Sequence, residues 1–329
     1  MFNVSRGTRQ GSLLSPLLFN MFLSDLLYEL DGVNQGLRVG THLYNSFAYA
    51  DDVSIFASTV PGLQQLINTC SEYSLKWRFK FGIKKSHCLI PTYFVNICDK
   101  EPKFYLGNNE IPNSDSIDIL GVTFTAKTDF NQHVDNRITK CRNSSFSLSD
   151  VGMCYPGVMS DTKSYLFRSI CQPTLLYGLD AVNLNINMMK KLENTQGGIM
   201  KRVCGIPKRS HHTQLLQSLN ISSVNNMLIK SITSLYTRVF KVNSPLRDLC
   251  VYDLAVYMSC GNTIPGTITH RLTQLGLSPV DCAFTKYIPC HNMCHDGVVD
   301  SLSQLIHCDN FIKPWSDEYL MSVLLTRAF

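Results

Sequence analysis

Two runs of strand-forming residues, 45–50 and 53–57, meet at a pair of adjacent acids, Asp51 and Asp52. Aromatic and β-branched side chains on either side of a short polar break predict an antiparallel hairpin with the acids at its turn. Two neighbouring carboxylates repel each other, and a divalent cation is the natural way to hold them together. Mg²⁺ suits such a turn because it takes one or two carboxylates and fills its remaining positions with phosphate oxygens and water. Taken alone the pair carries little information: an aromatic-x-Asp-Asp string arises by chance in roughly one chain in ten of this length. Adjacent acids on a hairpin are also ordinary surface turn residues.

The sequence around the hairpin predicts a mixed fold. Gly7 to Gly11 reads as a loop, after which Ser15 is placed to cap and Pro16 to open a helix over 16–30. Strands are expected over 37–39, 45–50 and 53–57, then a second helix over 62–77 with Leu63, Leu66, Ile67, Cys70 and Ser74 on one face. Further strands are expected over 78–81, 88–92, 103–106 and 119–125, with a turn at Asn108-Asn109. From Asp129 the periodicity becomes helical, with helices expected over 130–149, 160–180, 187–203, 213–243 and 246–258; Gly205-Ile206-Pro207 interrupts them, and an irregular Cys/His-rich tail follows. The fold class is α+β, divided as a sheet-bearing part over 1–128, a helical part over 129–204 and a C-terminal helical part over 205–329.

Composition limits the function classes. Hydrophobic residues make up 44% and charged residues 17%, as in a globular chain. No apolar stretch reaches the ~18 residues of a membrane span; the most apolar one, 13–27, is broken by Ser15, Pro16, Asn20, Ser24 and Asp25. The first ten residues lack the apolar core of a secretory signal. Thirteen cysteines without such a signal read as free thiols of a reducing, intracellular compartment. The net charge of +5 is uneven: residues 1–150 carry 14 basic and 14 acidic residues, residues 151–329 carry 16 and 11. Six cations (Lys190, Lys191, Lys201, Arg202, Lys208, Arg209) stand with one acid, Glu193, in a 23-residue window. Such a stretch suits a nucleic-acid backbone, because each neutralised phosphate releases condensed counterions; the plainer alternative is a solvated helix face.

Spacing adds what the acid pair lacks. Gly7-Thr8-Arg9-Gln10-Gly11-Ser12-Leu13-Leu14-Ser15-Pro16-Leu17-Leu18-Phe19-Asn20 stands upstream of Phe47-Ala48-Tyr49-Ala50-Asp51-Asp52. Lys84-Lys85-Ser86, then Leu120-Gly121-Val122 with Phe130 and His133, then Leu175-Leu176-Tyr177-Gly178 follow in order. Together these resemble the reverse transcriptases of non-LTR (LINE-type) retrotransposons over about residues 5–180.

The resemblance implies a partial polymerase palm, a helical thumb from about residue 129, and an RNA-directed DNA polymerase acting through two Mg²⁺ ions on an RNA template, a DNA primer and deoxynucleoside triphosphates. It implies that Asp51 and Asp52 are metal ligands and that Tyr49 and Ala50 lie near the primer terminus. Gln10 and Gly11 would contact the template base and nascent pair, and Lys85, or its neighbour Lys84, would neutralise or protonate the leaving pyrophosphate. The sequence departs from the pattern in two places. A further metal-bridging aspartate and the fingers residues precede the Gly7 segment in the family, whereas six residues precede it here, so this chain is expected to be inactive alone and to draw on an N-terminal portion of a polyprotein. Gly82 stands where the family usually has a polar residue. A group II intron maturase or telomerase relative is the wider alternative; a non-catalytic nucleic-acid-binding remnant is the functional one.

In the tail, Cys290, Cys294, His307 and Cys308 have the ligand types of a tetrahedral zinc knuckle. The Cys-x3-Cys spacing and the adjacency of His307 to Cys308 fit a decayed knuckle equally well.

Overall fold

The computed structural model describes residues 12–39, 42–95, 101–261, 267–284 and 321–326. They pack as two units: one from the residues up to Asp129 together with the C-terminal strand, the other from the described residues between, starting at Phe130.

In the first unit, α1 (Ser15–Asp31) precedes β1 (Leu37–Val39), β2 (His42–Tyr44), β3 (Ser46–Tyr49) and β4 (Asp52–Ala57). The expected Ser15 cap is displaced. A turn in which Ser15 N donates to Ser12 O brings helical dihedrals back to Leu14, so Ser15 is already inside the helix. β1 and β2 form their own ribbon, in which Gly36 approaches the Tyr44 carbonyl so closely that a Cβ would stand 2.5 Å from it. Buried Asn45 then turns the chain: its side-chain amide donates to Leu30 O at 2.8 Å, and its carbonyl accepts from Phe56 N at 2.7 Å.

α2 (Val60–Lys76) starts where Thr59 accepts from Gly62 N. Its apolar face (Leu63, Leu66, Ile67, Cys70, Tyr73) packs with Leu23, Leu26 and Leu30 of α1 and Val53 and Ile55 of β4 in one core. The expected strand over 78–81 is reduced to a single bridge residue at Phe81: Arg78 takes a left-handed φ of 55°, Phe79 packs on Phe22 and Tyr73, and Phe81 packs on Phe79. Beyond it come β5 (His87–Leu89), α3 (Thr92–Val95) and the hairpin of β6 (Phe104–Leu106) and β7 (Asn109–Ile111). Gln64 of α2 docks this hairpin by pairing with both backbone groups of Tyr105. The expected single strand over 119–125 is a hairpin, β8 (Ser116–Ile119) and β9 (Val122–Thr125), because Leu120 and Gly121 both take positive φ.

The second unit is helical. α4 (Asn131–Asp150) is followed by α5 (Ser160–Leu166) and α6 (Gln172–Leu176), joined by a wide π-type turn at Phe167–Cys171. Pro173 cannot donate to an α-helical ladder, and the wide turn just before it absorbs the missing bond. α7 (Ile186–Val203) is capped by Asn185, which accepts from Met188 N at 2.8 Å. The expected helix over 213–243 is two helices, α8 (Thr213–Ser218) and α9 (Val224–Val239), separated where Asn220 takes a left-handed φ of 51° and Ser223 caps the second. α10 (Pro245–Cys260), α11 (Ile268–Gln274) and α12 (Pro279–Phe284) complete it.

The last strand, β10 (Met321–Thr326), lies in a segment read from the sequence as irregular. It returns to the first unit and sits between β4 and β5, giving a four-stranded antiparallel sheet of order β3-β4-β10-β5. The architecture is α+β: short antiparallel strand groups with helices, then helices alone. Among the described residues no helix is long and apolar enough to cross a membrane.

Candidate active site

The β3–β4 hairpin closes with Tyr49 opposite Asp52, leaving Ala50 and Asp51 as a two-residue loop. Ala50 has a φ of 50°. A left-handed first loop residue is the turn geometry that usually calls for glycine, since it matches the twist of the flanking strands. An L-residue there stores roughly 1–2 kcal/mol of strain. Asp51 and Asp52 are half-buried at the tip, and Tyr49 is 67% exposed beside them.

The electrostatics are those of two carboxylates forced together. Burial, and secondly the charge of Asp51, push the Asp52 carboxyl above its ordinary range; Lys85 pulls it partly back. Lys85 is carried by a single 3-10 turn (Ile83–Lys85) between α2 and β5, anchored where Lys85 N and Ser86 N both donate to Gly82 O. Ser86 is fully buried, and its hydroxyl donates to the same carbonyl. The backbone carbonyl at 82 thus carries the turn, so the absence of a polar side chain there does not disturb it. Lys84 is exposed on the same turn.

The structure therefore brings Asp51, Asp52, Tyr49, Ala50 and Lys85 to one end of the sheet. Gln10 and Gly11 lie outside the described residues, as do Cys290, Cys294, His307 and Cys308. Among the described residues no group of three or more His, Cys, Asp or Glu side chains is arranged to hold a metal. The acid pair fits one cation in that a positive charge would relieve the repulsion that raises Asp52, and it offers two of that cation's ligands.

The six basic residues of the 190–209 stretch do not form one patch. Lys190 and Lys191 lie at the start of α7, where Lys191 pairs with Asp135 at 3.2 Å and Lys190 lines a groove of about 1100 Å³ with Asn185, Asn194, His212 and Asn225. The other four gather at the far end. Lys201 Nζ donates to Lys208 O at 3.0 Å, drawing the turn that bears Lys208 and Arg209 onto the helix. Arg202 lies over the Phe146 ring at 4.1 Å and donates to Ser145 Oγ. Cations at a helix C-terminus also complement its dipole. Two motifs noted in the sequence meet at the start of α4: His133 Nε2 is 3.3 Å from Tyr177 O, and Arg137 stacks on the Tyr177 ring. Their role is to pack α4 against the segment after α6. The element of this sheet that the sequence does not reveal is β10; its signal is the short apolar run of residues 321–325, which periodicity alone does not assign.

An α+β domain with an acidic hairpin tip facing a lysine turn has the makings of a metal-dependent nucleotidyl-transfer centre. Residues 1–124 match the family described as reverse transcriptase (RNA-dependent DNA polymerase). A 136-residue stretch is 35% identical to the Retrovirus-related Pol polyprotein from type-2 retrotransposable element R2DM of Drosophila melanogaster, covering 38% of this chain and 12% of that protein. A 231-residue stretch is 23% identical to the RNA-directed DNA polymerase from mobile element jockey of the same organism, covering 68% and 25%. A 130-residue stretch is 30% identical to the Retrovirus-related Pol polyprotein from type-1 retrotransposable element R2 of Nasonia vitripennis, covering 37% and 12%. The chain thus spans 12% to 25% of the length of these relatives. The jockey match is too long to fit within residues 1–124, so it runs on into the helical unit. The family implies a divalent metal, typically Mg²⁺.

Proposed function

We propose that this chain carries the metal-binding turn, the lysine turn and the thumb of an RNA-directed DNA polymerase that copies an RNA template from a DNA primer. Asp51 and Asp52 would hold Mg²⁺, and Lys85 would neutralise the departing pyrophosphate. Bound divalent cations would supply charge for the attacking and leaving oxygens. The observation that carries this reading is the acid pair on a strained two-residue loop with the Lys85 charge in reach. Tyr49 and Ala50 border the pair and would meet the primer end; Gln10 and Gly11 keep the template-side roles that the resemblance assigns.

With two carboxylates at the turn, the chain by itself is expected to bind a cation weakly and to extend a primer poorly, a further ligand coming from another portion of the polyprotein. Primer extension on an RNA template with Mg²⁺ or Mn²⁺ tests this, alongside Mn²⁺ binding by electron paramagnetic resonance. Binding that Asp51→Ala abolishes supports the metal turn; binding indifferent to that change overturns it, and robust extension by the chain alone overturns the incompleteness.

A second reading, a nucleic-acid-binding remnant without chemistry, rests on the four cations gathered around the end of α7 and on the amide-lined groove beside Lys190. It predicts RNA affinity that Asp51→Ala leaves unchanged. The tail cysteines and histidines remain candidate zinc ligands, for which metal content of the purified protein decides: zinc well below one equivalent removes the idea.

A further inference from the structure

Among the described residues, one couple of buried cysteines stands apart from the others. Cys70, Cys88 and Cys250 are free thiols packed as small apolar groups, and burial pushes each up to about 12. Cys141 and Cys171 are also free and fully buried, yet they face each other where α4 packs on the π-type turn. The Cys141 thiol donates a hydrogen bond to the Cys171 sulfur. That bond, helped by the charge of Arg202, draws the Cys171 thiol below its ordinary value against the opposing effect of burial. The same bond, with burial acting in the same direction, raises the Cys141 thiol. Arg202 is fixed there by Ser145, one helical turn beyond Cys141, and by the Phe146 ring. Ser169 and Ile170, which precede Cys171 on the turn, are exposed, so the couple lies just beneath the surface.

We propose that Cys141 and Cys171 form a dithiol modification site, which hydrogen peroxide converts to a disulfide that staples α4 to the turn between α5 and α6. The site does not depend on the reading of the acid-bearing turn. Cys171 is the attacking sulfur, since the thiolate and not the thiol is the nucleophile. Its thiolate attacks one peroxide oxygen: the S–O bond forms as O–O breaks, and the departing hydroxide takes a proton from solvent to become water. Cys141 then attacks the sulfur of the Cys171 sulfenic acid. The S–S bond forms as S–O breaks, and hydroxide leaves with the Cys141 proton as a second water. Two thiols are oxidised by two electrons in all, and one peroxide is reduced to two waters. A small neutral oxidant suits sulfurs that are covered, whereas exchange with a bulky disulfide needs direct access to the attacking sulfur.

The test uses the full chain. After hydrogen peroxide and alkylation of the remaining thiols, peptide mapping should recover a 141–171 cross-link that dithiothreitol removes. Oxidation in urea should not favour that pairing, and glutathione disulfide should leave both thiols free in the folded chain. Cys141→Ala should stop the reaction at Cys171, whose peptide gains oxygen, whereas Cys171→Ala should leave Cys141 unoxidised. The reverse pattern overturns the choice of attacking sulfur. The staple closes a loop of about 30 residues, so oxidation of the parent should raise the thermal midpoint of the helical unit by ~5–10 °C, and oxidation of either variant should not. Should a variant fail to fold, mapping of the parent alone decides. Cys154 and Cys204 are neighbouring, partly exposed thiols and form the competing couple. A 154–204 cross-link in place of 141–171, a scatter of pairings, oxygen added at Cys171 without a cross-link, or no reaction at either sulfur each overturns the proposal.

Discussion

Gly197 and Gly198 stand side by side in α7, and the structure assigns them opposite responses to the same change. A Cβ added at Gly198 meets nothing within 4 Å, whereas one at Gly197 would stand 2.6 Å from Cγ and 2.7 Å from Cβ of His212. Those atoms sit at the root of the His212 side chain, so they move only if the backbone before α8 moves. Gly198→Ala is therefore expected to behave as an exposed helix position does, gaining about 1 kcal/mol from helix propensity. At Gly197 the same gain is outweighed by overpacking of about 1–3 kcal/mol, for a net loss of roughly 1 kcal/mol. Urea unfolding of the full chain, followed by far-ultraviolet circular dichroism, reads both. Equal shifts of the same sign for the two variants would refute the close approach of His212 to α7. The consequence reaches function, because the turn that ends at His212 also carries Lys208 and Arg209: Gly197→Ala should weaken RNA binding, and Gly198→Ala should leave it intact.

Other perturbations probe the site directly. Ala50→Gly should stabilise the first unit by about 0.5–1 kcal/mol, the relief of left-handed strain exceeding the extra unfolded-chain entropy of glycine; Gly121→Ala, at a φ of 77°, should destabilise, and thermal melting reads both signs. The raised Asp52 carboxyl favours the neutral form in the folded chain, so its contribution to stability is present below the ordinary carboxylate range and fades as pH rises through the raised value. Cation binding needs the charged form and grows over that same window; Asp51→Asn should move the Asp52 titration to lower pH and Lys85→Gln to higher pH, measured on the Asp52 carboxyl by nuclear magnetic resonance without metal, and an unmoved titration in Asp51→Asn would contradict the shared charge. If Lys201, Arg202, Lys208 and Arg209 all meet single-stranded RNA phosphates, log affinity should fall against log salt with a slope of about −3, at ~0.7 per contact. Removing Lys208 and Arg209 should roughly halve that slope, and an unchanged slope would place the RNA elsewhere.

What the sequence made legible was local. The hairpin, its acid pair and the helices on either side follow from alternation and periodicity within windows of 20 residues, and all are present. The lysine turn was legible as a motif, while its electrostatic reach to Asp52 was not, because that depends on the spacing of β4 from β5. Other differences have physical causes that a one-dimensional pattern hides. The 119–125 run is apolar enough for one strand, yet Leu120 and Gly121 fold it back on itself. The 78–81 run alternates like a strand, yet left-handed Arg78 and the packing of Phe79 on Phe22 of α1 and Tyr73 of α2 leave only Phe81 in a bridge. The basic stretch is one cluster in sequence and two in space, since residues 190 and 201 lie at opposite ends of one helix that rises about 1.5 Å per residue.

β10 is the instructive case, since its identity as a strand depends on an edge it meets only after the chain has traversed a helical unit. Closing such a separation adds little to the equilibrium cost, because loop entropy grows only logarithmically, about 0.6 kcal/mol for each doubling of length. Its cost is kinetic: non-local pairings form late. Until β10 arrives, β4 and β5 both present bare ladder edges beside a core that already holds Val53, Ile55 and Cys88. Bare edges of apolar strands are templates for pairing with other chains. The acid-bearing turn is thus built on a strand whose partner is recruited last, and the half-formed sheet is the state in which this protein is most exposed to aggregation.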